Sequence, residues 1–246
     1  MLAIFKKEIH QFFSTVTGYV AIILFLLANG LFLFVFPETS LLDTGYANLD
    51  PLFNLAPLIY LLLIPAITMR SFADEFKTGT MELLSTKPVS SWEIVMGKFW
   101  SSLLIVIISL APTLVYYIAV RSLSVDVQTL DNGGIAGSYI GLVLLGATFT
   151  AIGIWSSSLT ANAMIGFLIA LFTCFILYNG FDALSKIPAF TGGIDYYLQM
   201  AGIKFHYASI SRGVIDTRDI IYFISVIGLM LYLTKLSLQR RLWQKG

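Results

Sequence analysis

Between Asp131 and Asp182 the chain carries no Asp, Glu, Lys, Arg or His, and this stretch restricts the fold more than any other feature. A helix needs roughly 20 apolar residues to cross about 30 Å of hydrocarbon, so residues 132–181 have room for two crossings. The rest of the chain follows the same pattern: 57% of residues are hydrophobic and 12% charged, with a mean hydropathy of +0.84. A soluble domain carries about a quarter of its residues as charges. Half that leaves too little polar surface to cover a globule in water.

Charge-free runs predict about six spans, at 18–36, 52–69, 99–120, 135–158, 161–181 and 220–233. Lys235 extends the last by snorkelling to the interface. Pro57, Pro65 and Pro112 fall within spans, where neighbouring helices can satisfy the carbonyls they free. The turn near Leu159–Asn162 is short enough to force a tight hairpin. The predicted fold is all-α, a polytopic integral membrane protein. No repeat or linker divides it, so residues 1–246 read as one domain. Ahead of the first span, residues 1–17 form an amphipathic helix at the membrane–water boundary. Leu2, Phe5, Ile9, Phe12 and Val16 recur every three or four residues, with Lys6, Lys7, Glu8, His10 and Gln11 on the other side. A secretory signal is not the reading, because its charges would precede a short apolar core and a cleavage site. Segment 182–218, with a Gly192-Gly193 turn and interfacial Tyr196, Tyr197 and Phe205, reads as short helices on the outer face.

Lys and Arg set the orientation. Six spans put both termini and the loops after spans two and four on one side, with Lys6, Lys7, Arg70, Lys77, Lys87, Lys98, Lys235, Arg240, Arg241 and Lys245. The other side has Arg121, Lys186, Lys204, Arg212 and Arg218, and its first loop has Glu38, Asp43 and Asp50 with no base. Both termini are therefore expected in the cytoplasm.

Composition also removes function classes. A net charge of +1 predicts no nucleic-acid partner, since phosphate binding needs a concentrated basic surface. One cysteine excludes a disulfide framework and a Cys/His metal cluster, and Cys174 reads as a packing residue. No predicted span carries a mid-membrane charge, which an ion-coupled transporter usually requires. Ser101, Ser102 and Ser109 have no neighbouring His to activate them. His10 and His206 are expected on opposite sides, so they cannot clamp one haem, and no cofactor is expected. There is no G-x-x-x-x-G-K-[ST] loop, since Trp92 stands where the first glycine before Gly97-Lys98 belongs. Any ATP is bound by another chain. Asn29, Thr113, Thr148, Thr150 and Asn179 suit interhelical hydrogen bonds more than a substrate path. The repeat Gly133, Gly137, Gly141 permits close helix contact, inside one protomer or across a dimer seam.

Segment 70–98, RSFADEFKTGTMELLSTKPVSSWEIVMGK, is too charged to span and too patterned for a passive linker. A short helix from Phe72 would place Asp74 and Glu75 in its first turn, where the helix dipole favours acids. Gly79 breaks it, Thr80 restarts it, and Lys87-Pro88 ends the second piece. Ser90-x-x-Glu93 is a capping box opening the next helix through Lys98 into span three. Apolar Phe76, Leu83 and Leu84 beside charged Glu75 and Glu82 suit docking into a partner's groove as well as self-packing.

The string E-F-x-x-G-T-x-E-L-L-x-T-x-P-V-S-x-x-E-I-V-x-G-K, written here by Glu75 to Lys98, resembles ABC-2 type transporter permeases. The N-terminal interfacial helix, about six spans and the long outer segment before the last span agree with it. Within that family the chain looks most like the permease subunit associated with gliding motility. The resemblance implies a non-catalytic permease in the bacterial cytoplasmic (inner) membrane, in which the loop after span two carries a coupling helix. That helix would sit in a cleft of separate cytoplasmic ABC ATPase subunits. Carried over, Glu75, Phe76, Gly79, Thr80, Glu82, Leu83, Leu84 and Pro88 form or brace the contact. The permease would pair with a second copy or a related permease, and would most often export. The alternative is a membrane anchoring or assembly protein that recruits a cytoplasmic partner without transport. A secondary transporter or membrane enzyme is disfavoured by the missing buried charge.

Overall fold

Proline and glycine positions account for most of the helix breaks. The computed structural model describes residues 1–36, 48–81, 88–123, 131–188 and 193–243. Of these residues 88% are helical, and none lies in a strand. In chain order, α1 is Leu2–Phe13, α2 Val16–Phe34, α3 Asp50–Thr68 and α4 Arg70–Thr78. α5 is Ser91–Leu110, a 3₁₀ turn follows at Ala111–Thr113 around Pro112, and α6 is Leu114–Leu123. α7 is Asn132–Leu159 and α8 Ala163–Phe175, which passes through a π turn, Ile176–Gly180, into α9, Phe181–Ser185. α10 is Ile194–Ala201, α11 Ile203–Ile210 and α12 Thr217–Trp243.

Among the described residues, five stretches are long and apolar enough to cross a membrane: Asp50–Thr78, Ser91–Ser122, Asn132–Leu159, Ala163–Ser185 and Thr217–Arg241. The sixth candidate is α1 followed by Gly18–Phe34, a pair bent by 69°. That bend separates the amphipathic helix from the apolar one, as the switch in their patterning predicts. The all-α polytopic fold therefore stands.

α7 forms the centre of the bundle, with 67% of its apolar window buried against 22% for α8–α9 and for α12. Its glycines make that possible. A Cβ on Gly153 would stand 2.0 Å from Thr68 Oγ1 of α3, and one on Gly137 would stand 2.9 Å from Gly213 Cα beyond α11. The small-residue face is thus used within one chain. Asn162 closes the α7–α8 hairpin by accepting the Met164 N–H at 3.0 Å.

Pro57 lacks the N–H that would bond Phe53 O one turn back. Tyr207 Oη of α11 donates to that carbonyl at 2.7 Å, so a neighbouring helix repairs the proline. The polar span residues behave more locally than expected. Asn29 and Thr148 bond carbonyls of their own helices, and Thr113 also reaches Tyr139 at 3.2 Å. The Thr150 hydroxyl is buried without a partner among the described residues.

Segment 182–218 supplies the short helices α10 and α11, although Gly192 lies outside the described residues. α11 buries Ile203, His206, Tyr207 and Ile210. His206 Nδ1 meets Asp219 Oδ1 of α12 at 2.7 Å, and Nε2 meets Met200 O at 2.8 Å. The ring stacks on Tyr222 at 3.9 Å. His206 is therefore a buried clasp joining α10, α11 and α12.

Candidate coupling site

At the end of the bundle opposite His206, the start of segment 70–98 packs around one buried cation. Lys98, two turns into α5, is fully buried. Its Nζ lies 2.7 Å from Glu8 Oε1 of α1 and 3.1 Å from Glu75 Oε1 of α4. It also donates to the Ser71 carbonyl and stands 4.9 Å over the Phe72 ring. Lys7 Nζ completes the group at 2.7 Å from Glu75 Oε1. Two lysines and two glutamates balance, as charges withdrawn from water must. Burial works against the Lys7 charge, but its hydrogen bond and attraction to Glu75 outweigh burial and hold it above the ordinary lysine value.

Local sequence explains how these side chains arrive. The capping box is formed: Ser90 Oγ accepts from Glu93 N at 3.2 Å, and Glu93 Oε2 accepts from Ser90 N at 3.0 Å. α5 thus starts at Ser91, and its inner face runs Ile94, Lys98, Ser101, Ile105, all buried. Gly97 lets α1 approach, since a Cβ there would stand 3.1 Å from Ile4 Cβ. Ile4 and Glu8, one turn apart on α1, then face α5.

The other side of the site is the α3–α4 junction at Met69. Ser157 Oγ of α7 donates to Met69 O at 2.9 Å and accepts from Phe72 N and Ala73 N at 3.0 and 3.2 Å. One hydroxyl therefore occupies the gap in the helical ladder and caps α4. The C-terminal helix joins as well. The Arg241 guanidinium lies 4.4 Å from the Phe76 ring and donates to Leu159 O in the α7–α8 hairpin. Phe72, Met81, Ile94, Val95, Phe99, Ala151, Ile154 and Leu238 form a second apolar core beneath it.

Several expectations change. α4 begins at Arg70, two residues early, so Asp74 and Glu75 lie beyond its first turn. Glu75 is held by lysines rather than by the helix dipole. Glu8 and Lys98, read as surface charges, point inward. Of the proposed contact residues, Glu75 is buried and Phe76 half-buried, whereas Gly79, Thr80 and Pro88 are exposed. Gly79 ends α4 in the left-handed region at φ 72°, a conformation that suits glycine. Glu82, Leu83 and Leu84 lie outside the described residues. Sequence reasoning missed Glu8, Lys98, Ser157 and Arg241 as parts of the site. For Lys98 a signal existed, because it occupies the apolar face of α5.

The group makes the loop, the interfacial helix, the α7–α8 hairpin and the C-terminal helix share one end of the bundle. This end joins segment 70–98 to α1, α5, α7 and α12. A comparison with curated proteins finds no match to the chain. The family model described as ABC-2 family transporter protein matches residues 3–234, nearly the whole chain, and the protein belongs to that family, as a membrane permease subunit of an ABC transporter.

Proposed function

We propose that this permease couples ATP hydrolysis on separate cytoplasmic ABC ATPase subunits to export, and that segment 70–98 is the coupling element. The observation that supports this reading is the buried Lys98 group, which ties α4 to α1 and α5. Displacement of a loop held this way moves whole helices, whereas a loosely attached loop would absorb it. Gly79, Thr80, Glu82, Leu83, Leu84 and Pro88 form the docking surface, and Glu75 and Phe76 brace it from behind. The termini lie in the cytoplasm of a bacterial inner membrane, in accord with the Lys and Arg distribution. The permease works as a dimer with a second copy or a related permease. Its role, by resemblance, is in gliding motility.

The test is affinity purification of the tagged chain in mild detergent, followed by ATPase assay of the recovered complex. A phosphate-loop ATPase should co-purify. Glu82→Lys and Gly79→Pro should abolish stimulation of its activity while membrane insertion remains intact. An ATPase that co-purifies but responds to neither variant, with transport unchanged, overturns the coupling role in favour of anchoring.

A further inference from the structure

Beside the Lys98 group, where α1 turns into α2, five helices leave a cavity of about 160 Å³. That is more than the space one ordered water occupies. Its polar wall carries Arg70 and Asp74, one turn apart on α4, and Glu8 of α1. Arg70 and Asp74 make no side-chain hydrogen bond or ion pair among the described residues. Glu8 already neutralises Lys98, so the unanswered charges on this wall are one cation and one anion. Ser102, 5% exposed, lines the cavity, and its hydroxyl has no partner among the described residues. The deeper wall, from Ala66, Ile67 and Ile105, is apolar and belongs to the spans.

We infer that this cavity holds the headgroup of a zwitterionic phospholipid bearing a primary ammonium, resident in the leaflet that contacts α1. The phosphate pairs with Arg70, and the ammonium donates to Asp74 and the free oxygen of Glu8. Ser102 contributes a hydrogen bond, and the acyl chains leave the cavity past the half-buried Ala21 and Ala66. The depth fits, because an amphipathic helix such as α1 lies at headgroup level. The charge pattern selects among lipids. An anionic phosphatidylglycerol would satisfy Arg70 but leave Asp74 facing like charge, and a free phosphate would do the same without apolar contacts. The site depends on the shape of this joint and not on coupling to nucleotide.

Native mass spectrometry of the full-length, delipidated chain in mild detergent tests this, with phosphatidylethanolamine, phosphatidylglycerol or soluble phosphoethanolamine added. Phosphatidylethanolamine should be retained over the other two. Arg70→Glu and Asp74→Lys should each weaken it about tenfold or more, since each removes a charge-assisted pair. Both positions are accessible enough to change without collapsing the core. Lys77→Glu, exposed on the same helix, should leave binding intact. Equal retention of phosphatidylglycerol, or equal weakening by Lys77→Glu, overturns the assignment.

Discussion

Among the described residues, replacing Lys98 with Met removes the one cation in ion-pair contact with Glu8 and one of two in contact with Glu75. The side chains are 14% and 10% exposed, so water can restore little of the lost stabilisation. The pair to Lys7 persists, but Lys7 is 48% exposed and reaches Glu8 only through longer-range attraction. Breaking a buried ion pair from one side typically costs about 3–5 kcal/mol, because the remaining charge is left uncompensated. The Ser71 carbonyl and the Phe72 ring also lose a partner. By contrast, the exposed Met1 amino group to Glu93 contact at 3.9 Å is screened by water and should contribute little. At about 2–4 °C per kcal/mol for a chain of this size, Lys98→Met should lower the detergent-solubilised Tm by roughly 6–20 °C. Fluorescence-detected thermal unfolding reads this directly. The sharper test is rescue: the triple variant Lys98→Met, Glu8→Gln, Glu75→Gln should recover most of the loss, since it removes the stranded charges. A single variant that shifts Tm by less than about 2 °C, or a triple variant no more stable than the single, refutes the electrostatic account.

Two further outcomes follow from the opposite end of the bundle. Tyr207→Phe should destabilise by about 1–3 kcal/mol, because Phe53 O loses its donor; Pro57→Ala should cancel most of that loss by restoring the helical N–H. Unfolding of the two single variants and the double variant measures this. Asp219→Asn should loosen the His206 clasp and cost about 1.5–3 kcal/mol, the worth of a hydrogen bond to a charged group. The loss should appear as faster amide exchange across 194–210, and unchanged exchange there would discount the clasp.

Particular residues show where sequence reasoning reached and where it stopped. The spans, the capping box at Ser90 and the break at Gly79 follow from local rules: hydrophobic length, hydrogen bonds three residues apart, and a φ that glycine tolerates. Each depends on residues close in the chain, so the chain alone determined them. The small-residue repeat in α7 was visible too, but its partner was not. Either α11 or a second protomer satisfies the same spacing, and only packing chose α11.

The site divides the same way. Segment 70–98 was singled out because its charge and turn pattern contradict a membrane span. Yet Glu75 was placed by the helix dipole, a near-neighbour effect, when Lys98 and Lys7 from other helices decide its position. Glu8 and Lys98, ninety residues apart, have no local relation. Their meeting depends on Ile4 settling against Gly97 and on Ser157 fixing α4 to α7. Sequence by itself determined a polytopic helical membrane protein with a patterned loop after its second span. Tertiary structure alone decided which charges turn inward, because a buried charge is tolerated only where folding brings its opposite within hydrogen-bonding distance.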